Sequence, residues 1–207
     1  MEPETDRRSF LGFAIFGLGT IFSAIIGVPL VCYGIDPRHR KGPKSSFKAV
    51  DGIKLDEFSL NDPRQGVIRD KRDDGWIHYP NDVIGRVWVV QSGPRPDLST
   101  PEKVAAFNTS SIVERERYLK VFTTICPHMG CSVNRDSAGG FACPCHAATF
   151  ALNGDRATAD NPAMRGMDTL EWKIDEADPE ALRIVVAYKN FVSSIEKKEV
   201  IGEEPAA

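Results

Sequence analysis

Cys126-Pro127-His128-Met129-Gly130-Cys131 and Cys143-Pro144-Cys145-His146 are the two stretches on which the reading of this chain turns. Each is loop-like, rich in Pro and small residues. Gly139-Gly140 lies between them and reads as a tight turn. The pair therefore reads as two loops at the ends of neighbouring strands, joined by a hairpin-like connection. One Cys and one His from each loop give the pattern C-x-H, fourteen residues, C-x-x-H. Four of the five cysteines and two of the four histidines of the 207-residue chain lie between Cys126 and His146. A chain so poor in both residue types has concentrated them, and its chemistry is to be sought there.

The surroundings of the two loops read as β-structure. Gly66–Arg69, Arg86–Val90, Tyr118–Thr123, Leu170–Ile174 and Leu182–Tyr188 are β-branched or aromatic runs, separated by Asn, Asp, Gly and Pro. Val87–Val90 is nearly continuous, which predicts burial on both faces. Helical periodicity is weak outside a short helix from Thr100, with Thr100 as cap and Pro101 in the first position. The expected head is mainly β, an antiparallel sandwich or small barrel of short strands spanning residues 51–195. Composition agrees: 42% hydrophobic and 27% charged residues exclude a disordered or collagen-like chain. A net charge of −3 gives no footing for nucleic acid. No internal repeat is visible.

Three explanations compete for the Cys/His loops. Zinc usually takes C-x(2–4)-C with H-x(3–5)-H, whereas here each loop supplies one residue of each kind. Structural disulfides alone leave the histidines without a role. A two-iron, two-sulfide cluster of the Rieske type needs two thiolates on one iron and two imidazoles on the other, which two such loops supply. The spare cysteines can then tie the loops together. Zinc and plain disulfides remain open on the residues alone.

The two motifs resemble the paired signature of high-potential Rieske proteins. The version with two additional cysteines resembles the iron–sulfur subunit of quinol-oxidising cytochrome bc complexes. The resemblance covers about Val121–Leu170, within a cluster-binding part at 118–170; residues 51–117 resemble nothing identifiable. It implies that Cys126 and Cys143 bind the buried iron and His128 and His146 the exposed one. It implies a disulfide between Cys131 and Cys145, a pair that soluble Rieske ferredoxins and ring-hydroxylating oxygenases usually lack. It also implies that His146, then His128, hydrogen-bonds the quinol. An all-Cys cluster carries two more negative charges than one with two neutral imidazoles. The His-ligated cluster is neutral when oxidised and accepts an electron more readily.

The chain departs from the family at four positions. After His146 the family usually carries a Ser and then a Tyr whose hydroxyls donate to sulfur. Here Ala148 and Phe150 stand in those positions. Loss of both donors predicts a potential low in the family's range, which suits menaquinol better than ubiquinol. Asn161-Pro162-Ala163-Met164 resembles the proline loop covering the cluster, with Asn161 for Gly and Met164 for the second Pro. Pro162 still restricts the backbone. Met129 and Met164 either form an apolar cover or simply pack. His39 and His78 read as ordinary surface residues.

Phe10–Ile35 contains no charged residue over 26 positions and is long enough to span a bilayer, even with a break at Pro29. It reads as a single transmembrane anchor. Residues 1–9 carry Arg7-Arg8-Ser9-Phe10-Leu11, which resembles a twin-arginine export signal. No Ala-x-Ala site follows, so the anchor is read as uncleaved. Cys32 belongs to it, with Val31 where a lipoprotein site wants a small residue. Four Lys/Arg just after the span against two before it (Arg7, Arg8) oppose an exported head by positive-inside counting. The export signal outweighs this, because large domains cross largely regardless of flanking charge. Residues 36–50 read as a linker or hinge, and 196–207 as a frayed C-terminal tail.

The resulting expectation is a Rieske 2Fe–2S subunit of a quinol:cytochrome c oxidoreductase in a bacterial cytoplasmic membrane, single-pass, with an extracytoplasmic head. Its partners would be a membrane cytochrome b subunit, a cytochrome c-type haem subunit, quinol and the lipid bilayer. Activity would require those subunits. The alternatives are the small Rieske subunit of an arsenite-oxidase-type molybdenum enzyme and a membrane-tethered zinc-binding module.

Overall fold

The structure, a computed structural model, describes residues 7–39, 47–74, 77–178 and 181–201. The start of the export signal, the middle of the expected linker and the end of the tail lie outside these residues. The chain divides into two units, Met1–Gly42 and Pro43–Ala207, each described here by itself.

The described residues of the first unit form one helix, α1 (Arg7–His39). Its Arg7–Gly34 part is long and apolar enough to cross a membrane. The helix continues through Pro29, where the sequence suggested a break. A single proline removes one backbone hydrogen bond, and apolar spanning helices absorb that loss by small local adjustments. The Thr20 hydroxyl donates to the Phe16 carbonyl oxygen at 2.6 Å, so this polar group is satisfied within the helix.

The second unit is built on a six-stranded antiparallel sheet. In chain order its strands are β1 (Phe47–Asp51), β2 (Arg64–Asp74), β3 (Ile77–Gln91), β4 (Leu119–Thr123), β8 (Trp172–Ile174) and β9 (Ile184–Ala187). They lie side by side as β4-β3-β2-β1-β9-β8. The sheet nearly closes, because the chain entering β8 returns to β4. The Leu170 amide donates to the Val121 carbonyl oxygen at 2.8 Å, and the Thr123 amide to that of Asp168 at 3.0 Å. A smaller sheet, β5 (Asn134–Arg135), β6 (Phe141–Ala142) and β7 (Thr149–Phe150), carries the Cys/His loops.

All five strand runs expected from the sequence are present. β1 was not foreseen, because Phe47–Val50 fell within the expected linker. Only Val50 is buried in it, among Lys48, Ala49 and Asp51, so its own pattern is faint. Its register is informative all the same: Val50 lies opposite Ile68 of β2, and Ala49 opposite Val185 of β9. β1 therefore joins the two halves of the sheet.

The end of β3, Val87–Val90, and β4 are buried on both faces. Val87, Val89, Leu119 and Val121 face the main core. Trp88, Val90 and Phe122 face a second core that also contains Cys126 and Cys143. Each such side chain contributes about 1.5–3 kcal/mol by leaving water, so one strand pair stabilises both the barrel-like sheet and the cysteine layer.

Residues 51–117, without an assigned role in the sequence, complete the main core. Helix α2 (Pro101–Thr109) starts as expected, with the Thr100 hydroxyl accepting from the Lys103 amide. Helix α3 (Ile112–Tyr118) was not anticipated; Tyr118 ends it rather than beginning β4. Buried Asn108 uses both ends of its amide on β8. Its Nδ2 donates to the Ile174 carbonyl oxygen and its Oδ1 accepts from the Ile174 amide, each at 2.9 Å. Asn108→Ala leaves both backbone groups unpaired. The expected loss is about 2–4 kcal/mol in chemical denaturation, and a loss below about 0.5 kcal/mol would mean that Ile174 finds other partners.

Glu196–Ile201 is not a frayed end. The Ile201 amide donates to the Asn190 carbonyl oxygen at 2.8 Å, and the Val192 amide to that of Glu199 at 2.9 Å. The turn is held because Phe191 is buried in the main core and Lys198 Nζ donates to the Thr169 carbonyl oxygen at 2.7 Å. Charge composition alone hid these contacts.

Candidate metal centre

The first loop leaves β4 and turns back on itself. The Cys126 amide donates to the Cys131 carbonyl oxygen at 2.8 Å, and the Gly130 amide to that of Cys126 at 2.9 Å. Gly130 has φ of 80°, a region that favours glycine. The second loop follows β6 and closes with the Cys143 amide donating to the Ala148 carbonyl oxygen at 2.8 Å. Between them the β5–β6 hairpin turns at Asp136–Gly140, where Gly139 has φ of 99°. This is the hairpin-like connection expected from Gly139-Gly140. A disulfide between Cys131 and Cys145 joins the loops.

The loops meet at this disulfide, with their two free thiols buried and their two histidines nearer the surface. Cys126 and Cys143 are free thiols, 0% and 2% exposed, with Phe122, Phe141, Ala148 and Phe150 in the same core. Burial pushes the Cys126 thiol up to about 11; the adjoining Cys143 thiol adds to the rise, while the amides of His128 and Met129 oppose it. The sulfurs of Cys131, Cys143 and Cys145 lie within 4.8 Å of one another. Two of these share the disulfide, so Cys143 is the one that keeps a thiol to offer a metal. The rings of His128 and His146 lie 4.7 Å apart and nearly perpendicular, at 87°. His128 is half-buried and His146 exposed.

These groups fit an iron–sulfur cluster. His128 Nδ1 is buried without a hydrogen-bond partner among the described residues. Such an atom is costly unless something beyond the polypeptide pairs with it. Two buried free thiols in contact offer soft ligands to a cation, which deprotonates a coordinating thiol outright. Two sulfurs and two imidazole nitrogens, one pair deep and one pair shallow, form the donor set that a Rieske centre requires.

Residues 87–171 match the family model of the Rieske [2Fe-2S] domain. Residues 87–171 form a Rieske [2Fe–2S] domain by that match. Among curated proteins it is similar to the menaquinol:cytochrome c reductase iron-sulfur subunits of Bacillus subtilis and Geobacillus thermodenitrificans. The first is 23% identical over 84% of this chain and 90% of the relative. The second is 21% identical over 84% and 89%. Among solved structures, the plasma membrane Rieske protein PetC3 of Synechocystis PCC 6803 is 23% identical. That match covers 57% of this chain and 84% of the other, with a TM-score of 0.31.

Within the Rieske domain, Ala148 and Phe150 are fully buried beside the cysteines and bring no hydroxyl. The loop at Asn161–Met164, expected to cover the cluster, is pinned from inside. Asn161 Nδ2 donates to the Thr149 carbonyl oxygen, and its Oδ1 accepts from the Ala163 amide at 2.9 Å. Asn161 thus ties the loop to β7, where the family form has Gly. Pro162 is exposed. Met129 and Met164 are 61% and 57% exposed, so they are surface residues of the two loops rather than packed core. His78 is exposed on β3, as expected.

Three features of the Rieske domain were passed over in the sequence. Trp88 Nε1 donates to the Val133 carbonyl oxygen at 2.9 Å and holds the exit of the first loop. Arg165 and Asp168 form a buried ion pair, 10% and 4% exposed, with contacts at 2.8 and 3.0 Å. Ser194 approaches the first loop from the C-terminal segment. The spacing of Arg165 and Asp168, three apart among apolar residues, is the one signal the sequence offered.

Proposed function

We propose that this chain is the Rieske iron–sulfur subunit of a quinol:cytochrome c oxidoreductase. It takes one electron, with a proton, from quinol and passes the electron to a c-type haem. The observation that carries the reading is the juxtaposition of two buried thiols with two shallow imidazoles across a disulfide-stapled pair of loops. Cys126, His128, Cys143 and His146 would hold the cluster, with the thiols as its buried ligands and the imidazoles as its shallower ones. When bound, the cluster supplies a one-electron acceptor.

The polypeptide does the rest. The apolar layer of Phe122, Phe141 and Phe150 keeps water from the thiolates. The free ring nitrogen of exposed His146 would be acidified by a bound ferric ion, and once its proton has left, the nitrogen could accept the quinol proton, with His128 second. Helix α1 is the membrane anchor. The partners of the head are a membrane cytochrome b subunit and a cytochrome c-type haem subunit. The head stands on the extracytoplasmic side of a bacterial membrane, and turnover needs those partners.

Menaquinol is the favoured donor. The curated relatives are named for it, and the absence of hydroxyls at Ala148 and Phe150 points the same way. A donor to cluster sulfur stabilises the reduced, more negative state. Ala148→Ser and Phe150→Tyr are therefore expected to raise the midpoint potential in a redox titration, and together more than singly. An unchanged potential in both would contradict the hydrogen-bond argument. The reading as a whole is tested by affinity purification of the full chain from membranes. Co-purification with b- and c-type haems supports it; a molybdenum partner without haem b would replace it.

A further inference from the structure

The disulfide holds the first loop only at its exit, Cys131. The peptide groups flanking His128 are held by another part of the chain. The Ser194 amide donates to the Pro127 carbonyl oxygen at 2.9 Å, and the Ser194 hydroxyl donates to that of His128. Ser193 passes over Gly130, its hydroxyl 3.8 Å from where a Cβ would stand. Ser194 has φ of 63°, a left-handed conformation that a serine keeps only when its surroundings impose it.

Arg165 imposes it. One terminal nitrogen donates to the Ile195 carbonyl oxygen at 2.5 Å and the other to that of Val192 at 2.7 Å, on either side of Ser194. The same guanidinium makes the two-point contact with Asp168. The Asp168 carbonyl oxygen accepts from the Thr123 amide of β4, just ahead of the first loop. A planar fork that fills four of its five donor positions has one orientation.

We infer that Val192–Ile195, locked by the Arg165–Asp168 pair, is the positioning element of the first histidine loop, fixing the orientation of His128. None of these residues touches the reacting atoms. The inference rests on the reading of His128 as a cluster ligand. It assigns the C-terminal segment a role at the centre, and it makes the cover loop and the first loop move as one body.

The test uses the full-length holoprotein. Ser194→Ala removes one hydroxyl. Arg165→Met with Asp168→Leu removes both carbonyl contacts without leaving a buried charge, so the fold is expected to survive. The readouts are thermal melting, iron release to a chelator, and pulsed electron paramagnetic resonance of protein with nitrogen-15 histidine. Iron release is expected about fivefold faster in Ser194→Ala and about tenfold or more in the double variant. One imidazole coupling should shift while the other stays. A wild-type release rate with both couplings unchanged in both variants overturns the inference, as does an equal shift of both couplings. A wild-type protein without a Rieske spectrum overturns the ligand reading, and this inference with it.

Discussion

Cys143→Ser is expected to abolish the reduced-state Rieske resonance of the full-length chain and, in its complex, all quinol-dependent electron delivery. Cys143 is 2% exposed and lies against the Cys126 thiol. A serine hydroxyl fits the space, so packing around Phe141 and Phe150 is preserved. It does not ionise near neutral pH and is a hard oxygen ligand where iron–sulfur chemistry wants a soft one. The variant should still fold, because the main core lies on the other face of β3 and β4. Circular dichroism melting checks the fold, and iron content with paramagnetic resonance checks the centre. A Cys143→Ser protein with a full Rieske signal would remove this residue from the ligand set.

Cys131→Ala with Cys145→Ala has the next largest expected effect. The disulfide closes a separation of 14 residues, and a loop of that size contributes about 3 kcal/mol through the entropy of the unfolded chain. For a head of this length that corresponds to about 6–12 °C in the melting midpoint. The consequence at the centre is larger than the stability figure implies. The two loops meet through this bond, and the second loop otherwise closes chiefly on itself, between Cys143 and Ala148. The double variant should therefore lose iron during purification, and the wild type should do so when treated with a strong thiol reductant. A double variant that keeps its cluster and melts as the wild type does would show that the loops are held by their own backbone.

What the sequence made legible was what composition and spacing encode directly. The Cys/His loops, the apolar span and the five larger strand runs each carry their signal within a few adjacent residues. β1 was hidden because its one deeply buried residue, Val50, sits among Lys48, Ala49 and Asp51. α3 was hidden because its seven residues include Glu114, Arg115, Glu116 and Arg117, and its stability comes from the Ser111 cap and from burial of Arg115 and Tyr118. The C-terminal return was hidden for a different reason. Its fixings are long-range: Arg165 to Val192 and Ile195, Ser194 to His128, and Lys198 to Thr169. Hydrogen bonds between residues about 30 or more positions apart leave no periodicity. The site was thus readable as a set of donors, while the framework that orients them was not.

The structure also sharpened one reading of the site. Met129 and Met164 are exposed, so neither belongs to the apolar core around Cys126 and Cys143, which Phe122, Phe141 and Phe150 form. Asn161 replaces a glycine of the family form and supplies an anchor in exchange.

The central claim is that Cys126, His128, Cys143 and His146 hold a two-iron cluster that accepts one electron from quinol. Its most direct test is paramagnetic resonance of the membrane-bound chain during reduction by menaquinol. The account predicts a Rieske resonance that appears with one electron per chain and is lost in both Cys143→Ser and His146→Ala. No resonance in the wild type, with zinc instead of iron in the purified protein, would contradict it.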